Sequence, residues 1–162
     1  MENALTQTGV VLAVDDDPDD LELLCLLLRK AGFPSAVDVY REGRELVSRL
    51  TKLIQASAKT LRPLLCFVDV KMPGMDGFEI LEWIRQQPQL DRLPGIMLSS
   101  SEHPTDVRRA VERGAQCYLS KYPQPAVLRE VIGEAERFAL GAPAEDCFRI
   151  PNNQLLVRGR RV

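Results

Sequence analysis

The 162 residues carry 21 Lys plus Arg against 23 Asp plus Glu, a net charge of −2, with 45% apolar and 27% charged types. That length fits one domain with a short appendage, and the mixture excludes a disordered chain, a collagen-like repeat and a disulfide scaffold. The near-neutral balance gives no general pull toward nucleic acid or anionic membrane, and no apolar stretch approaches a bilayer span.

Residues 1–8 lack the basic and apolar regions of a signal peptide, read as a flexible lead-in, and leave the chain expected in the cytosol. Residues 10–14, VVLAV, are a short continuous apolar run that suits a strand buried on both faces. It ends in Asp15, Asp16 and Asp17. Asp17 followed by Pro18 predicts a helix start, an Asp cap and then Pro at the first helical position. That helix should run to Lys30 and stop at Gly32. Its Leu21, Leu23, Leu24, Cys25, Leu26, Leu27 and Leu28 cover nearly the whole circumference. A helix apolar all round is usually buried, so extra cover is expected here from a kinase helix bundle, a second copy of the chain or the C-terminal tail.

A second strand is expected at 35–40. Leu46, Val47, Leu50, Leu53 and Ile54 then mark an amphipathic helix that gives way to a polar segment at 55–62. Residues 63–69 form a third apolar strand, ending in Asp69. A turn at 74–77 leads into a helix at 76–87 with Phe78, Leu81 and Ile84 on one side. A fourth strand at 94–99, a short helix at 104–113, a fifth strand at 115–120 and a last helix at 125–140 complete the pattern. Strands alternating with helices predict an α/β fold with a parallel sheet and right-handed crossovers. Residues 141–162 read as an extended arm with a turn at Pro151, ending in Arg158, Arg160 and Arg161; without aromatic interleaving, these three do not point to nucleic acid.

In such a fold, functional groups gather at the carboxyl ends of the strands. Four ends carry them: Asp15 and Asp16, Asp69, Ser99 and Ser100, and Ser120 and Lys121. Three carboxylates in one crevice repel, each pair at 4 Å by roughly 1 to 4 kcal/mol, unless a cation sits among them. An oxygen-only ligand set favours Mg²⁺ or Mn²⁺. Such a metal and a lone ammonium neutralise charge on a transferring phosphoryl group, and an Asp can be its nucleophile.

The runs VDDDP at 14–18, FVDVKMPGMDG at 67–77, IMLSSS at 96–101 and YLSK at 118–121 together resemble the receiver domain of two-component response regulators, over about residues 9–140. The resemblance implies a five-stranded, doubly wound, flavodoxin-like sheet of order 2-1-3-4-5, with a C-terminal extension. It implies that Asp69 is the phosphoacceptor, charged by a sensor histidine kinase. Asp15, Asp16, Asp69 and the backbone carbonyl of Lys71 would hold Mg²⁺. Ser99, with Ser100 beside it, and Lys121 would bind the phosphoryl group. Tyr118 would be a switch aromatic that turns inward when Ser99 moves.

The chain is then a signalling phosphoacceptor, not an enzyme. It resembles, more loosely, the stand-alone regulators paired with phytochrome-type kinases. Leu21, Cys25, Leu26 and Phe148 are the interface candidates, toward a kinase or in a homodimer. Two alternatives stand beside this one. A receiver-shaped module that is never phosphorylated would not need the complete set of charged groups. An Asp-nucleophile phosphatase needs a second Asp two residues after the first, where Lys71 stands. The family usually has Pro directly after the conserved Lys; here Tyr122 intervenes before Pro123, so a trans Lys121–Tyr122 bond is expected.

Overall fold

A computed structural model describes residues 9–34, 36–56 and 63–148. The expected lead-in at 1–8, the first residue of the second strand, most of the polar segment after the second helix and the arm beyond 148 lie outside the described residues.

Five strands, β1 (Val10–Val14), β2 (Val37–Tyr40), β3 (Pro63–Asp69), β4 (Gly95–Ser99) and β5 (Cys117–Ser120), form one sheet of order β2-β1-β3-β4-β5. Every pairing is parallel. Five helices connect them: α1 (Pro18–Lys30), α2 (Gly43–Gln55), α3 (Gly77–Arg85), α4 (Pro104–Glu112) and α5 (Pro125–Ala139). This is the doubly wound, flavodoxin-like arrangement that the motif resemblance implied.

Alternation along the central strands builds two cores. Val11 and Ala13 of β1, Leu65 and Phe67 of β3, and Ile96 and Leu98 of β4 pack with α1 and α5. Leu12 and Val14, Cys66 and Val68, and Met97 pack on the other side with α2, α3 and α4. Because side chains alternate with period two, continuous apolar runs are what a sheet covered on both faces requires. Among the described residues β2 has a neighbour on one side only, and its Val39 is exposed.

The helix ends follow local chemistry. Asp17 caps α1 by accepting from the Asp19 N–H at 2.9 Å. Asp76 and Glu79 make a reciprocal capping box at α3, satisfying two otherwise orphaned donors. His103 is exposed and caps α4, its Nδ1 accepting from the Thr105 N–H at 3.2 Å.

Two expectations need correction. The apolar residues of α1 do not all call for outside cover, and what they receive among the described residues comes from the C-terminal tail, one of the three expected sources: Cys147 and Phe148 join the same core as Leu21, Leu24 and Leu28. Leu21, Leu24 and Leu28 are buried in the core shared with α5, Leu23 and Cys25 are half-buried, and Leu26 alone of them is largely exposed, at 43%. Leu21 therefore offers no docking surface. Nor does Phe148, which is 1% exposed.

The packed unit thus runs past residue 140. A 3₁₀ turn at Ala144–Asp146 brings Cys147 and Phe148 into the α1–α5 core. The Phe148 ring meets Phe138 edge-on, with centroids 6.3 Å apart, and its N–H donates to Glu134 Oε2 at 2.8 Å. Arg92 pins the same segment, donating to the carbonyls of Phe138 and Ala142 and lying 4.7 Å over the Phe138 ring. Truncating a fully buried Phe costs about 3–5 kcal/mol through lost burial and the cavity left behind. Phe148→Ala is therefore expected to lower the chemical-denaturation stability by about that amount, where an unpacked arm would lower it by less than about 0.5 kcal/mol.

Candidate functional site

The carboxyl ends of β1, β3, β4 and β5 converge at one edge of the sheet. Asp15 follows Val11 and Ala13 in the alternation, and Asp69 follows Leu65 and Phe67, so both carboxylates continue the side that faces α1 and α5. Both are buried, each 5% exposed, and Asp16 beside them is half-buried. One carboxylate oxygen from each of Asp15, Asp16 and Asp69 lies within 4.8 Å of the others.

Backbone contacts fix this geometry. The Asp15 N–H donates to the Tyr40 carbonyl, and Asp15 Oδ1 accepts from the Asp17 N–H at 3.0 Å. Arg41 donates to the Asp16 carbonyl at 3.1 Å. After Asp69 the chain is gripped by Val70 N–H to the Leu98 carbonyl and Gly77 N–H to the Val70 carbonyl. Gly77 has to be glycine: a Cβ there would overlap the Asp69 carbonyl.

Lys121 reaches in from the end of β5, its N–H held by the Ser99 carbonyl at 2.8 Å. Its ammonium lies 3.0 Å from Asp15 Oδ2, 3.3 Å from Asp69 Oδ1 and 2.6 Å from Asp20 Oδ2. Asp20 was not singled out from the sequence, where it passes for an ordinary acid in the first turn of α1. The signal was present in its spacing: Asp20 lies four residues before Leu24, on the helix stripe that turns inward.

Ser99 ends β4 and is buried; its Oγ accepts from the Ser101 N–H at 3.0 Å. Tyr118 is already inward and buried, its hydroxyl donating to the Ser101 carbonyl at 2.6 Å and lying against Ser99. Ser101, whose hydroxyl donates to Asp106 Oδ2 at 2.8 Å, ties this loop to α4. Ser100 and Lys71 are exposed. Among the described residues there is no cis peptide bond, and Tyr122 adopts φ 63°. The four cysteines are free thiols; Cys66, Cys117 and Cys147 are buried and Cys25 is half-buried.

The electrostatics are those of a cation site. Burial, then the neighbouring Asp15 charge, pushes the Asp69 carboxyl up to about 6, with Lys121 opposing the rise. Burial also raises Asp15, partly offset by the Asp17 N–H and by Lys121. Burial alone would pull the Lys121 ammonium down, but hydrogen bonds to Asp20 and Asp15 and the charge of Asp69 hold it above the ordinary lysine value. Three crowded carboxylates, two of them raised, with no thiolate or imidazole among them, fit a hard divalent cation.

A stability consequence follows for the chain held in chelator. Between about pH 4 and 6 the folded chain keeps the Asp69 proton that the unfolded chain has lost, so stability falls as pH rises through that window. Two pKa units correspond to about 3 kcal/mol. Asp69→Asn is therefore expected to stabilise the metal-free chain by up to about 3 kcal/mol at pH 7.5, a gain that fades as the pH approaches 4. Denaturation curves across that range in chelator measure it.

A family model described as the response regulator receiver domain matches residues 11–133. Response regulator Rcp1 of Synechocystis sp. is 29% identical over 131 residues, 81% of this chain and 88% of its own. Its Mn²⁺-bound structure superposes with a TM-score of 0.57, at 28% identity, over 83% of this chain and 96% of that one. The chemotaxis protein CheY4 of Vibrio cholerae gives a TM-score of 0.65 and 28% identity, over 79% and 98%. The phosphorylated cyanobacterial phytochrome response regulator RcpA gives 0.63 and 27%, over 83% and 96%. No helix among the described residues is long and apolar enough to cross a membrane.

Proposed function

The chain belongs to the response regulator receiver family, signalling proteins that work with sensor kinases, and on that premise we propose that Asp69 accepts a phosphoryl group from a kinase phosphohistidine. The observation that carries this is the meeting of Asp15, Asp16 and Asp69 with the Lys121 ammonium 3.3 Å from the proposed nucleophile. An Asp69 oxygen attacks phosphorus, the bond from phosphorus to the donor nitrogen breaks, and the imidazole leaves. The product is an acyl phosphate on Asp69.

Asp15, Asp16, Asp69 and the Lys71 carbonyl would hold Mg²⁺, for which Mn²⁺ could substitute. When bound, the ion supplies positive charge against the phosphoryl oxygens. A relative is solved with Mn²⁺ and another in phosphorylated form, which supports this reading. Lys121 pairs with a phosphoryl oxygen. The Ser99 hydroxyl donates to another, with Ser100 at the mouth of the site. As Ser99 turns, the loop through Ser101 to Tyr118 and α4 is pulled with it, which gives a partner a changed face to read.

The donor we propose is a sensor histidine kinase of phytochrome type, on the strength of RcpA's likeness. Half-buried Cys25 and exposed Leu26, the two interface candidates of α1 that the core does not bury, are proposed to contact the kinase or a second copy of the chain. The site is expected to work in the cytoplasm.

Acetyl phosphate, a small acyl-phosphate donor, tests the reading. Intact-mass spectrometry is expected to find one phosphoryl group per chain with Mg²⁺ and none with chelator. No adduct with Mg²⁺, or one that survives chelation from the start, would overturn it.

A further inference from the structure

We propose that Asp20 and Tyr122 form a clasp that holds the Lys121 ammonium away from the phosphoryl position, so that Asp20 sets how tightly the site takes up a phosphoryl group. The inference deepens the phosphoacceptor reading and rests on it.

The shortest contact of Lys121 is not with the nucleophile. Its Nζ is 2.6 Å from Asp20 Oδ2, against 3.0 Å for Asp15 and 3.3 Å for Asp69. Asp20 stands outside the trio whose oxygens converge. Its other oxygen, Oδ1, accepts from the Tyr122 hydroxyl at 2.8 Å. Both Asp20 oxygens are thus engaged by consecutive residues of the segment between β5 and α5.

Tyr122 reaches Asp20 from a left-handed backbone, φ 63°, that a bulky residue adopts at a cost. Burial does not offset that cost, since Tyr122 is 57% exposed. Its hydroxyl bond to Asp20 is the contact that rewards the conformation. Pro follows only at position 123, so the residue after the site lysine has both a side chain able to reach Asp20 and a φ that Pro could not adopt.

The consequence is competition. A phosphoryl oxygen on Asp69 needs the same ammonium, and Lys121 bonds it fully only by giving up the 2.6 Å contact with Asp20. Asp20 is a positioning residue that acts through Lys121, and Tyr122 fixes the Asp20 carboxylate in the holding orientation. Relieving one charge-assisted hydrogen bond is worth about tenfold in an equilibrium constant.

Beryllofluoride, a phosphoryl mimic, is titrated into the full chain at saturating Mg²⁺, with bound fluoride counted by ¹⁹F NMR. Asp20→Asn is expected to bind it about tenfold tighter than wild type, and Tyr122→Phe about threefold tighter. Asp20→Glu returns the affinity toward wild type. Mg²⁺ affinity, measured without beryllofluoride, rises in none of them, which places the gain at the phosphoryl position. If Asp20→Asn fails to fold, Tyr122→Phe decides alone. Wild type that binds while the folded variants match it or bind more weakly overturns the clasp. Wild type that binds no beryllofluoride overturns the phosphoacceptor reading and the clasp with it.

Discussion

Asp69→Asn is expected to take up no measurable phosphoryl group from acetyl phosphate and Mg²⁺, a loss of at least about a thousandfold in rate. The amide keeps the shape and most of the hydrogen bonding of the carboxylate but has no anionic oxygen with which to attack phosphorus. It also has one charge fewer for a cation. The variant should fold at least as well as wild type, because Asp69 is a buried, repelled carboxylate whose removal relieves strain. Lost labelling in a chain of equal or higher stability separates chemistry from folding. Intact-mass time courses beside denaturation curves provide both numbers. Undiminished labelling of Asp69→Asn would mean that another carboxylate is the acceptor.

Lys121→Met should do two things. The ammonium is shared by Asp15, Asp20 and Asp69, and its side chain is largely buried. Removing it leaves three carboxylates facing one another, which at partly buried sites costs about 3 kcal/mol in the metal-free chain. Its loss also takes away the charge proposed to pair with the phosphoryl oxygens, so the phosphorylation rate is expected to fall about a hundredfold.

The stability difference has a pH signature. A lysine held above its ordinary value contributes fully at all pH below that value, so nothing is lost on the alkaline side until far above neutrality. Burial pushes Asp20 up, but hydrogen bonds from Lys121 and Tyr122 outweigh it and leave Asp20 lowered. That contribution disappears as pH falls through the carboxylate range. The gap between wild type and Lys121→Met should therefore hold near neutrality and narrow on acidification. Added Mg²⁺ should close part of it, since a divalent cation relieves the same repulsion.

The strands that end in the site were legible because a buried parallel strand is a continuous apolar run, and each such run stops at a polar residue where it meets solvent. β1 and β3 have the bounds expected, and Asp15, Asp16 and Asp69 follow from them. β5 is two residues shorter than its apolar run suggested: Ala115 and Gln116 are buried, but there the Gln116 side chain pairs with Arg85 and the Gly95 N–H while the ladder begins at Cys117.

What sequence alone did not reveal depends on contacts between distant positions. Asp20 has the look of any first-turn acid until Lys121, 101 residues later, is brought to it. Phe148 reads as part of an arm until Phe138 and Glu134 are seen to receive it. The leucines of α1 wrap the helix in projection, but burial follows the Leu21, Leu24 and Leu28 stripe against α5. In the sequence Tyr122 stands out for the proline it displaces; its bond to Asp20 appears only in the fold.

Chemical localisation of the phosphoryl group tests directly whether Asp69 is the acceptor. The wild-type chain is incubated with acetyl phosphate and Mg²⁺, reduced with borohydride, digested and sequenced by tandem mass spectrometry. Borohydride converts an acyl phosphate of aspartate into homoserine. The expected result is homoserine at position 69 alone, and none when chelator replaces Mg²⁺. Homoserine at 15, 16 or 20 in place of 69, or at no position despite Mg²⁺, would contradict it.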